Sequence, residues 1–400
     1  MRQGWRWFGP AAPVTLEEVR QVGATDVVSA LHEVPIGAVW SAEAVEARRE
    51  MIETTAPGRV PLRWSVVESI PIPDAVKRTG SAAKPEIEAW IASLENVGRA
   101  GIPIVCYNFM PVVDWCRTEL DFVTDTGATA MRFDVDTFAA FDLFILERPG
   151  AEGHWSAEDR SRAKACFDAM DDQAIADLVR NIASALPGST TEPLTIPAFR
   201  DKLEQYRDID SAKLRQHLIE FLAAVTPAAE SVGVKLTLHP DDPPRPLFGL
   251  PRVASTAEDY AALFEAVPSP ANGMCYCTGS LGARADNDLP AIARRFASRI
   301  HFAHLRNTRR ESDPRTFHES AHLDGDTDMV AVLKELVAED KRRSAGETIV
   351  FRSDHGHRML DDLSKTVTPG YPAIGRMRGL AELRGILHAL GHPPEGVRAA

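Results

Sequence analysis

Residues 234–244 read VKLTLHPDDPP and contain the pattern on which the fold prediction depends. A short β-branched and apolar run ends directly in a histidine, two aspartates and two prolines, which is typical of a buried strand followed by a loop. The same pattern recurs along the chain. The strand candidates are residues 26–31, 63–69, 102–108, 234–239, 273–278, 299–306 and 348–354.

Longer stretches with helical periodicity separate these strands. Strands that alternate with helices pair in parallel through right-handed crossovers. Seven such units, with a weak eighth strand near residues 130–133, predict an α/β fold of the closed (β/α)₈ TIM-barrel type. The predicted helices are residues 41–53, 84–99, 211–231, 256–267, 289–298, 329–343 and 376–390.

The segment before residue 234 has helical character but no strand signal. Residues 187–193, PGSTTEP, divide two helical stretches within it. We therefore predict one catalytic barrel domain, residues 1–400, with a helical cap inserted between about residues 135 and 210.

The composition excludes several classes of protein. The chain is 44% hydrophobic and 26% charged, with a formal net charge of −12, which argues against a nucleic-acid binder. Five cysteines, an odd number, indicate reduced thiols. The first ten residues lack a signal-peptide pattern and no run reaches about 18 apolar residues, so we expect a cytoplasmic protein without a membrane span.

Metal-binding side chains follow four successive predicted strands, at the end of a barrel where function is expected. They are His239, Cys277, His304 and Asp354. Taken singly, each of these residues could have a purely structural role, such as a cysteine packed in the core or an aspartate that caps a helix. Four such side chains at the ends of adjacent strands favour a metal site instead. By strand alternation, Cys275 points to the same side of the sheet as Cys277, so the residues alone do not decide which of the two thiols is the ligand. Such donors suit Zn²⁺, Fe²⁺, Mn²⁺ or Co²⁺.

Two further residues are candidates for proton transfer. His355 follows Asp354 and either carries a proton or supports a ligand through a hydrogen bond. Tyr371 lies in the loop after the last strand, where it either returns a phenol to the site or anchors the loop.

Other strand-end residues are candidates for substrate binding. Asn108, Trp115 and Arg117 follow the third strand and would line a polyhydroxylated ligand, although Trp115 has an alternative place under the insertion. Arg306 and Asn307 lie where substrate-orienting groups are expected, since arginine often holds a carboxylate bidentately.

Two more segments belong to this set. Glu68 and Ser69 end the second predicted strand, at a position where substrate-orienting groups are also expected. His322 lies in the polar, glycine-containing loop 318–326, which is typical of a mobile active-site loop.

Taken in order, the motifs of the chain resemble those of the D-mannonate dehydratase family over nearly its whole length. Several long motifs in one order are specific. The resemblance implies a barrel similar to that of xylose isomerase-like enzymes, in agreement with the alternation. The motifs are RWFGP (6–10), WSVVES (64–69), YNFMPVVDW (107–115), HPDDPP (239–244), GLPR (249–252), SPANG (269–273), CTGSLG (277–282), RADNDLP (284–290), HLRN (304–307) and RSDHG (352–356).

The resemblance implies one divalent metal, Mn²⁺ or Fe²⁺, and we expect no nucleotide or organic cofactor. It assigns Cys277, the thiol before Thr-Gly-Ser, as the ligand, and His355 and Tyr371 to proton transfer. The chain departs from the family at Cys116, which would lie beside the pocket, and over residues 127–195. The remaining implied ligands are His239, His304 and Asp354.

The implied reaction is loss of water from D-mannonate, giving 2-keto-3-deoxy-D-gluconate in hexuronate catabolism. The expected partner is therefore a small sugar acid, and barrels of this kind are often homo-oligomers, here a dimer or tetramer. The alternatives are a metal-dependent sugar isomerase or epimerase, a dehydratase of a related sugar acid on the same barrel, a DNA-repair nuclease, and a protein with a closed structural zinc site. The acidic charge argues against the nuclease.

Overall fold

The computed structural model describes residues 1–183, 194–344 and 346–395, so the predicted divider at 187–193 lies outside the described residues. Their strands are, in chain order, β1 (Arg2–Arg6), β2 (Asp26–Ser29), β3 (Arg63–Glu68), β4 (Ile104–Tyr107), β5 (Glu119–Val123), β6 (Thr129–Phe133), β7 (Lys235–Leu238), β8 (Asn272–Cys277), β9 (Ile300–His304), β10 (Asn307–Arg310), β11 (Phe317–Ser320) and β12 (Val350–Arg352). Eight of them close into a parallel barrel in the order β1-β12-β9-β8-β7-β4-β3-β2, which confirms the predicted (β/α)₈ fold.

The α-helices of the described residues alternate with the barrel strands or fill the insertion. All seven predicted helices are present. No helix of the described residues is both long and apolar enough to cross a membrane. The helices are α1 (Leu16–Gln21), α2 (Ala42–Glu53), α3 (Asp74–Thr79), α4 (Lys84–Arg99), α5 (Val135–Ala140), α6 (Ala157–Asp168), α7 (Asp172–Ala183), α8 (Ile196–Glu204), α9 (Ser211–Ser231), α10 (Ala257–Ala266), α11 (Thr278–Gly282), α12 (Leu289–Arg295), α13 (Met329–Asp340) and α14 (Ala373–Ala389).

The eighth strand of the barrel is β1, so the prediction of a strand near residues 130–133 was wrong for the barrel. β1 pairs in parallel with both β12 and β2. Its sequence, RQGWR, has no apolar run, although the whole strand is buried. Its polar side chains tolerate burial because they pair with groups from other parts of the chain. Arg2 lies 3.2 Å from the carboxylate of Asp26, and Gln3 accepts a hydrogen bond from Arg384. These partners come together only in the closed barrel, so hydrophobic periodicity did not detect the strand.

Residues 130–133 belong instead to β6, in an antiparallel sheet of order β10-β11-β6-β5 outside the barrel. This sheet lies against the inserted helices α5–α8. Phe133 stacks on Phe317 of β11 with ring centroids 5.7 Å apart, and Phe138 lies 4.6 Å from Phe248 in the loop after β7. The inserted helices therefore rest on loops at the carboxyl ends of the strands, and the hairpin β5–β6 that precedes them in the chain was not predicted.

Side chains of alternate strand positions fill the barrel. Below its mouth, apolar side chains and two thiols form a packed interior cluster, as expected for layers of inward-facing residues. The layer nearest the carboxyl ends is polar, and the candidate site is built there. The buried interior residues are Val28, Val66, Ile104, Cys106, Cys275, Phe302 and Val350.

Candidate active site

A cavity of about 550 Å³, including the space open to solvent, lies at the carboxyl ends of the barrel strands. Charged and aromatic side chains dominate its wall. The residues that line the cavity include Arg6, Phe8, Glu68, Asn108, Trp115, His239, Asp242, Arg306, Arg352, Asp354, His355 and Tyr371.

The four predicted metal ligands meet at the base of this cavity, whose wall includes two of them, His239 and Asp354. One donor atom from each of His239, Cys277 and His304 lies within 4.8 Å of the other two. Asp354 adjoins the group, with Oδ2 3.9 Å from Cys277 Sγ and 3.8 Å from His304 Nδ1. The ends of β7, β8, β9 and β12 thus bring imidazole, thiol and carboxylate donors together, because parallel strands of a barrel share one carboxyl edge.

Local hydrogen bonds favour the metal-binding forms of two of these side chains, His239 and Cys277. His239 Nδ1 lies 2.7 Å from the carbonyl oxygen of Pro240. A carbonyl only accepts a hydrogen bond, so Nδ1 carries the proton, and Nε2 is the ring nitrogen that can offer its electron pair to a metal. Cys277 is the N-cap of α11, and the backbone N–H of Ser280 approaches its sulfur at 3.5 Å. Donors at a helix start favour the thiolate, which is the form that binds metals.

Neighbouring cations keep the acidic donors ionised. Asp354 has a left-handed backbone (φ 50°), which is uncommon outside glycine. Its carboxylate contacts Arg352 and lies 2.7 Å from Arg306 Nε. Burial opposes ionisation, but Arg352 and other nearby cations hold the pKa of Asp354 well below its usual value. Burial also opposes ionisation of Cys277, yet Arg306 and His239 hold the pKa of this thiol well below its usual value.

Two buried polar atoms at the cluster lack a hydrogen-bond partner among the described residues, which indicates that the cluster suits a cation. Within the described part of the chain, His304 Nε2 and Glu68 Oε2 have no hydrogen-bond partner, although they lie 3.5 Å apart. Such atoms cost about 1–3 kcal/mol each when nothing satisfies them. A divalent ion among nitrogen, sulfur and oxygen donors would do so, and the donor set therefore fits a divalent metal.

His355 and Tyr371 line the same cavity and meet edge to face, with ring centroids 5.0 Å apart. His355 Nδ1 lies 3.1 Å from Glu319 Oε1. Burial opposes ionisation of Glu319, but Arg306 and His355 hold its pKa well below its usual value, so this carboxylate accepts. The Nδ1–H of His355 therefore donates to Glu319 and leaves Nε2 as a candidate base. Burial raises the pKa of Tyr371, so its phenol keeps its proton at neutral pH.

A buried network of charges supports this arrangement. Arg117 holds Asp242 bidentately, at 2.7 and 3.1 Å, and contacts Glu319 at 2.9 Å. Arg306 contacts the same two carboxylates at 2.5 Å each. The side chains of these four residues are at most 4% exposed. The network therefore connects the cavity wall with Glu319, which orients His355.

Replacing Arg117 by methionine is expected to destabilise the protein by about 3–5 kcal/mol, because it leaves two buried carboxylates short of a partner. The free energy of unfolding from urea titration measures this loss. The matched control is Arg284→Met, which removes an ion pair with the exposed Asp286 and is expected to cost about 0–1 kcal/mol. Equal losses in the two variants would contradict the importance of the buried network.

Five of the residues predicted to bind or orient substrate line the cavity, namely Glu68, Ser69, Asn108, Trp115 and Arg306. Of these, Arg306 is already engaged by three carboxylates, those of Asp242, Glu319 and Asp354. Its guanidinium therefore serves first to fix acidic side chains of the site.

The other three, Arg117, Asn307 and His322, are not among the residues that line the cavity. Arg117 is fully buried in the ionic network. The Asn307 amide donates to the carbonyl oxygens of His322 and Thr327, both at 3.0 Å. His322 Nε2 lies 2.6 Å from the carbonyl oxygen of Ser353. The predicted mobile loop therefore begins as strand β11 and is held against the barrel.

Sequence reasoning missed several groups at the site. Arg352 and Arg6 surround Glu68, and Glu319 supports His355. Arg352 and Arg6 lie within motifs of the family resemblance, which was their available signal, whereas Glu319 lies in the segment interpreted as a loop. Cys116, expected beside the pocket, is fully buried in the core of the insertion, where burial raises its pKa to about 12.

The closed parallel barrel and the donor cluster at its mouth define a (β/α)₈-barrel enzyme with a candidate metal centre. The family model of D-mannonate dehydratase (UxuA) matches residues 1–394. The chain therefore belongs to the D-mannonate dehydratase family, whose members are metal-dependent sugar-acid hydro-lyases.

Individual relatives agree with this assignment. A mannonate dehydratase of Brucella canis is 70% identical over 390 residues, covering 98% of this chain and 97% of the relative. One of Chromohalobacter salexigens is 51% identical over 392 residues, covering 98% and 99%. The crystal structure of mannonate dehydratase from Streptococcus suis serotype 2 superposes with a TM-score of 0.75 at 31% identity, covering 100% of this chain and 97% of that one.

Proposed function

We propose that this chain removes water from D-mannonate to give 2-keto-3-deoxy-D-gluconate, as a step of hexuronate catabolism in the cytoplasm. The observation that supports this is the meeting of four metal donors with the His355–Tyr371 pair in one cavity, in a chain of the D-mannonate dehydratase family. We further propose a homo-oligomer, dimer or tetramer, that binds neither nucleic acid nor membrane.

We propose that one Mn²⁺ or Fe²⁺ ion is held by the donor cluster, and that no nucleotide or organic cofactor takes part. When bound, the ion supplies a Lewis acid for the negative charge that develops on the substrate carboxylate. Arg306 and Arg352 fix Asp354 in its ionised form beside the other donors. The residues that would hold the ion are His239, Cys277, His304 and Asp354.

Proton transfer is proposed for the two residues that share the cavity with the donors. His355 Nε2 takes the proton from C2 of the substrate, while Glu319 holds Nδ1–H and so keeps the ring in this tautomer. The C2–H electron pair is first delocalised into the substrate carboxylate as an enediolate, and it then forms the C2–C3 double bond as the C3 hydroxyl leaves. The Tyr371 phenol gives that hydroxyl a proton, so it leaves as water, and the resulting enol becomes the 2-keto acid.

The polyol tail of the substrate needs a polar wall next to the reacting carbons. Asn108 and Trp115 line the cavity on the loop after β4 and are proposed to contact the tail. The Trp115 ring is held by the Arg117 guanidinium, 5.4 Å from the ring centroid. Arg117 therefore acts on the substrate indirectly, through the ring that it supports.

Removing the metal tests this function directly. Protein treated with a chelator is expected to form no 2-keto acid from D-mannonate, and added Mn²⁺ or Fe²⁺ is expected to restore the activity. A coupled assay for the keto acid measures the rate, and Zn²⁺ is included for comparison. A folded protein that forms no keto acid with any of these ions would contradict the proposal and would favour the isomerase or epimerase alternative.

A further inference from the structure

A second group of metal-binding side chains lies inside the barrel, and the proposed reaction uses only one of them. It consists of Cys106 on β4, Cys275 on β8 and His304 on β9. One donor atom from each lies within 4.8 Å of the other two. Cys106 is 1% exposed and Cys275 is fully buried. Two thiols and an imidazole at this spacing are a ligand set, and not merely a cysteine in a core.

The surroundings of this inner group select the kind of ion that fits. Both thiols pack among apolar interior side chains, including Val66, Ile104 and Phe302. An ion there meets sulfur and nitrogen donors, which soft and borderline ions prefer and Mn²⁺ does not. Binding releases one proton from each thiol to solvent, so two thiolates and a divalent ion form a neutral unit. A neutral unit is compatible with an apolar interior, whereas an unpaired ion is not.

We propose that Cys106, Cys275 and His304 form an inner site for a soft divalent ion, Zn²⁺ or Cd²⁺, and that its occupation inhibits the enzyme. Inhibition follows because His304 also belongs to the cluster at the cavity, so an ion in the inner site engages a donor that the outer centre needs. Only the inhibition rests on the proposed function, since binding at the inner site depends on the three side chains alone.

The binding test uses Cd²⁺, whose bond to thiolate gives an ultraviolet sulfur-to-metal charge-transfer band. The outer thiol is first removed in Cys277→Ala, so that it does not contribute to the band. We expect Cys277→Ala to keep this band and the additional changes Cys106→Ala and Cys275→Ala to abolish it. The double variant Cys277→Ala/Cys275→Ala is expected to reduce the band by about half. It tests the inner site if the triple variant does not fold.

The control for this experiment adds Cys116→Ala to Cys277→Ala. Cys116 is as buried as the inner thiols but lies in the core of the insertion, so its removal is expected to leave the band unchanged. Circular dichroism establishes that each variant is folded. A folded Cys277→Ala protein without the band, or a triple variant that retains it, would overturn the inner site.

The inhibition test uses enzyme loaded with Mn²⁺ and the keto-acid assay. The double variant Cys106→Ala/Cys275→Ala is expected to need about 10–100-fold more Cd²⁺ for half inhibition than the wild type, in line with the loss of supporting metal contacts. Equal sensitivity would overturn the inhibitory role. Absence of any activity in the wild type with Mn²⁺ would contradict the proposed function, while the charge-transfer titration would still decide the inner site.

Discussion

Replacing His355 by asparagine is expected to lower kcat for D-mannonate dehydration by about 10²–10⁴-fold, the usual contribution of a positioned general base. The loss follows from the orientation of the ring. Glu319 accepts the Nδ1–H at 3.1 Å, so Nε2 is the atom left for the substrate proton. Asparagine keeps a polar group next to Asp354 but offers no base of suitable strength. Steady-state kinetics with saturating Mn²⁺ measures kcat, and metal content after dialysis is expected to be unchanged.

Isotope exchange separates the roles of the two proton carriers. In deuterated water, Tyr371→Phe is expected to incorporate deuterium at C2 of recovered substrate while forming little keto acid. His355→Asn is expected to show neither reaction. Exchange in His355→Asn and none in Tyr371→Phe would reverse the assignment. His301→Asn is the matched control, because His301 lies at the opposite end of β9 from the cavity and contacts the carbonyl oxygen of Pro270.

Replacing Cys277 by serine is expected to lower both metal affinity and turnover by at least about 100-fold, since even changes to groups that support metal ligands cost about 10–100-fold. The sulfur is the donor contributed by β8, and Ser280 and Arg306 favour its thiolate form. A serine hydroxyl stays protonated there and is a poor ligand. Metal content after dialysis and kcat at increasing Mn²⁺ are the two measurements.

The control for this prediction is Cys116→Ser, which changes an equally buried thiol outside the donor cluster. It is expected to retain the metal and to turn over like the wild type. If Cys277→Ser bound metal and turned over normally, the proposed ligand set would be wrong. Cys275, the other thiol on β8, would then be the first donor to test.

The barrel was predictable because its buried strands and amphipathic helices repeat at spacings that hydrophobic periodicity detects. The strand β1 was not predicted because its polar residues Arg2 and Gln3 are stabilised by Asp26 and Arg384, which are remote in sequence. The segment at 130–133 has the same local signal as a barrel strand but pairs antiparallel with β5 and β11. Local pattern thus predicts that a strand forms, and long-range pairing determines the sheet that it joins.

The convergence of the four donors was also predictable from order along the chain. His239, Cys277, His304 and Asp354 each lie at or just after the end of a strand, and the ends of parallel strands in a closed barrel share one edge. The choice between Cys275 and Cys277 was not predictable from alternation, because both side chains point inwards. Depth in the barrel separates them, with Cys277 at the mouth and Cys275 in the apolar layer below it.

By itself, the sequence determined the alternation of strands and helices, the closed barrel and the residues that stand at the strand ends. Only the tertiary structure decided which polar side chains face the cavity. Arg117 was expected to meet substrate but pairs with Glu319, 202 residues away. Glu319 in turn orients His355. The physical reason is that a charged side chain is stabilised by the partners that surround it in space, and those partners come from distant parts of the chain.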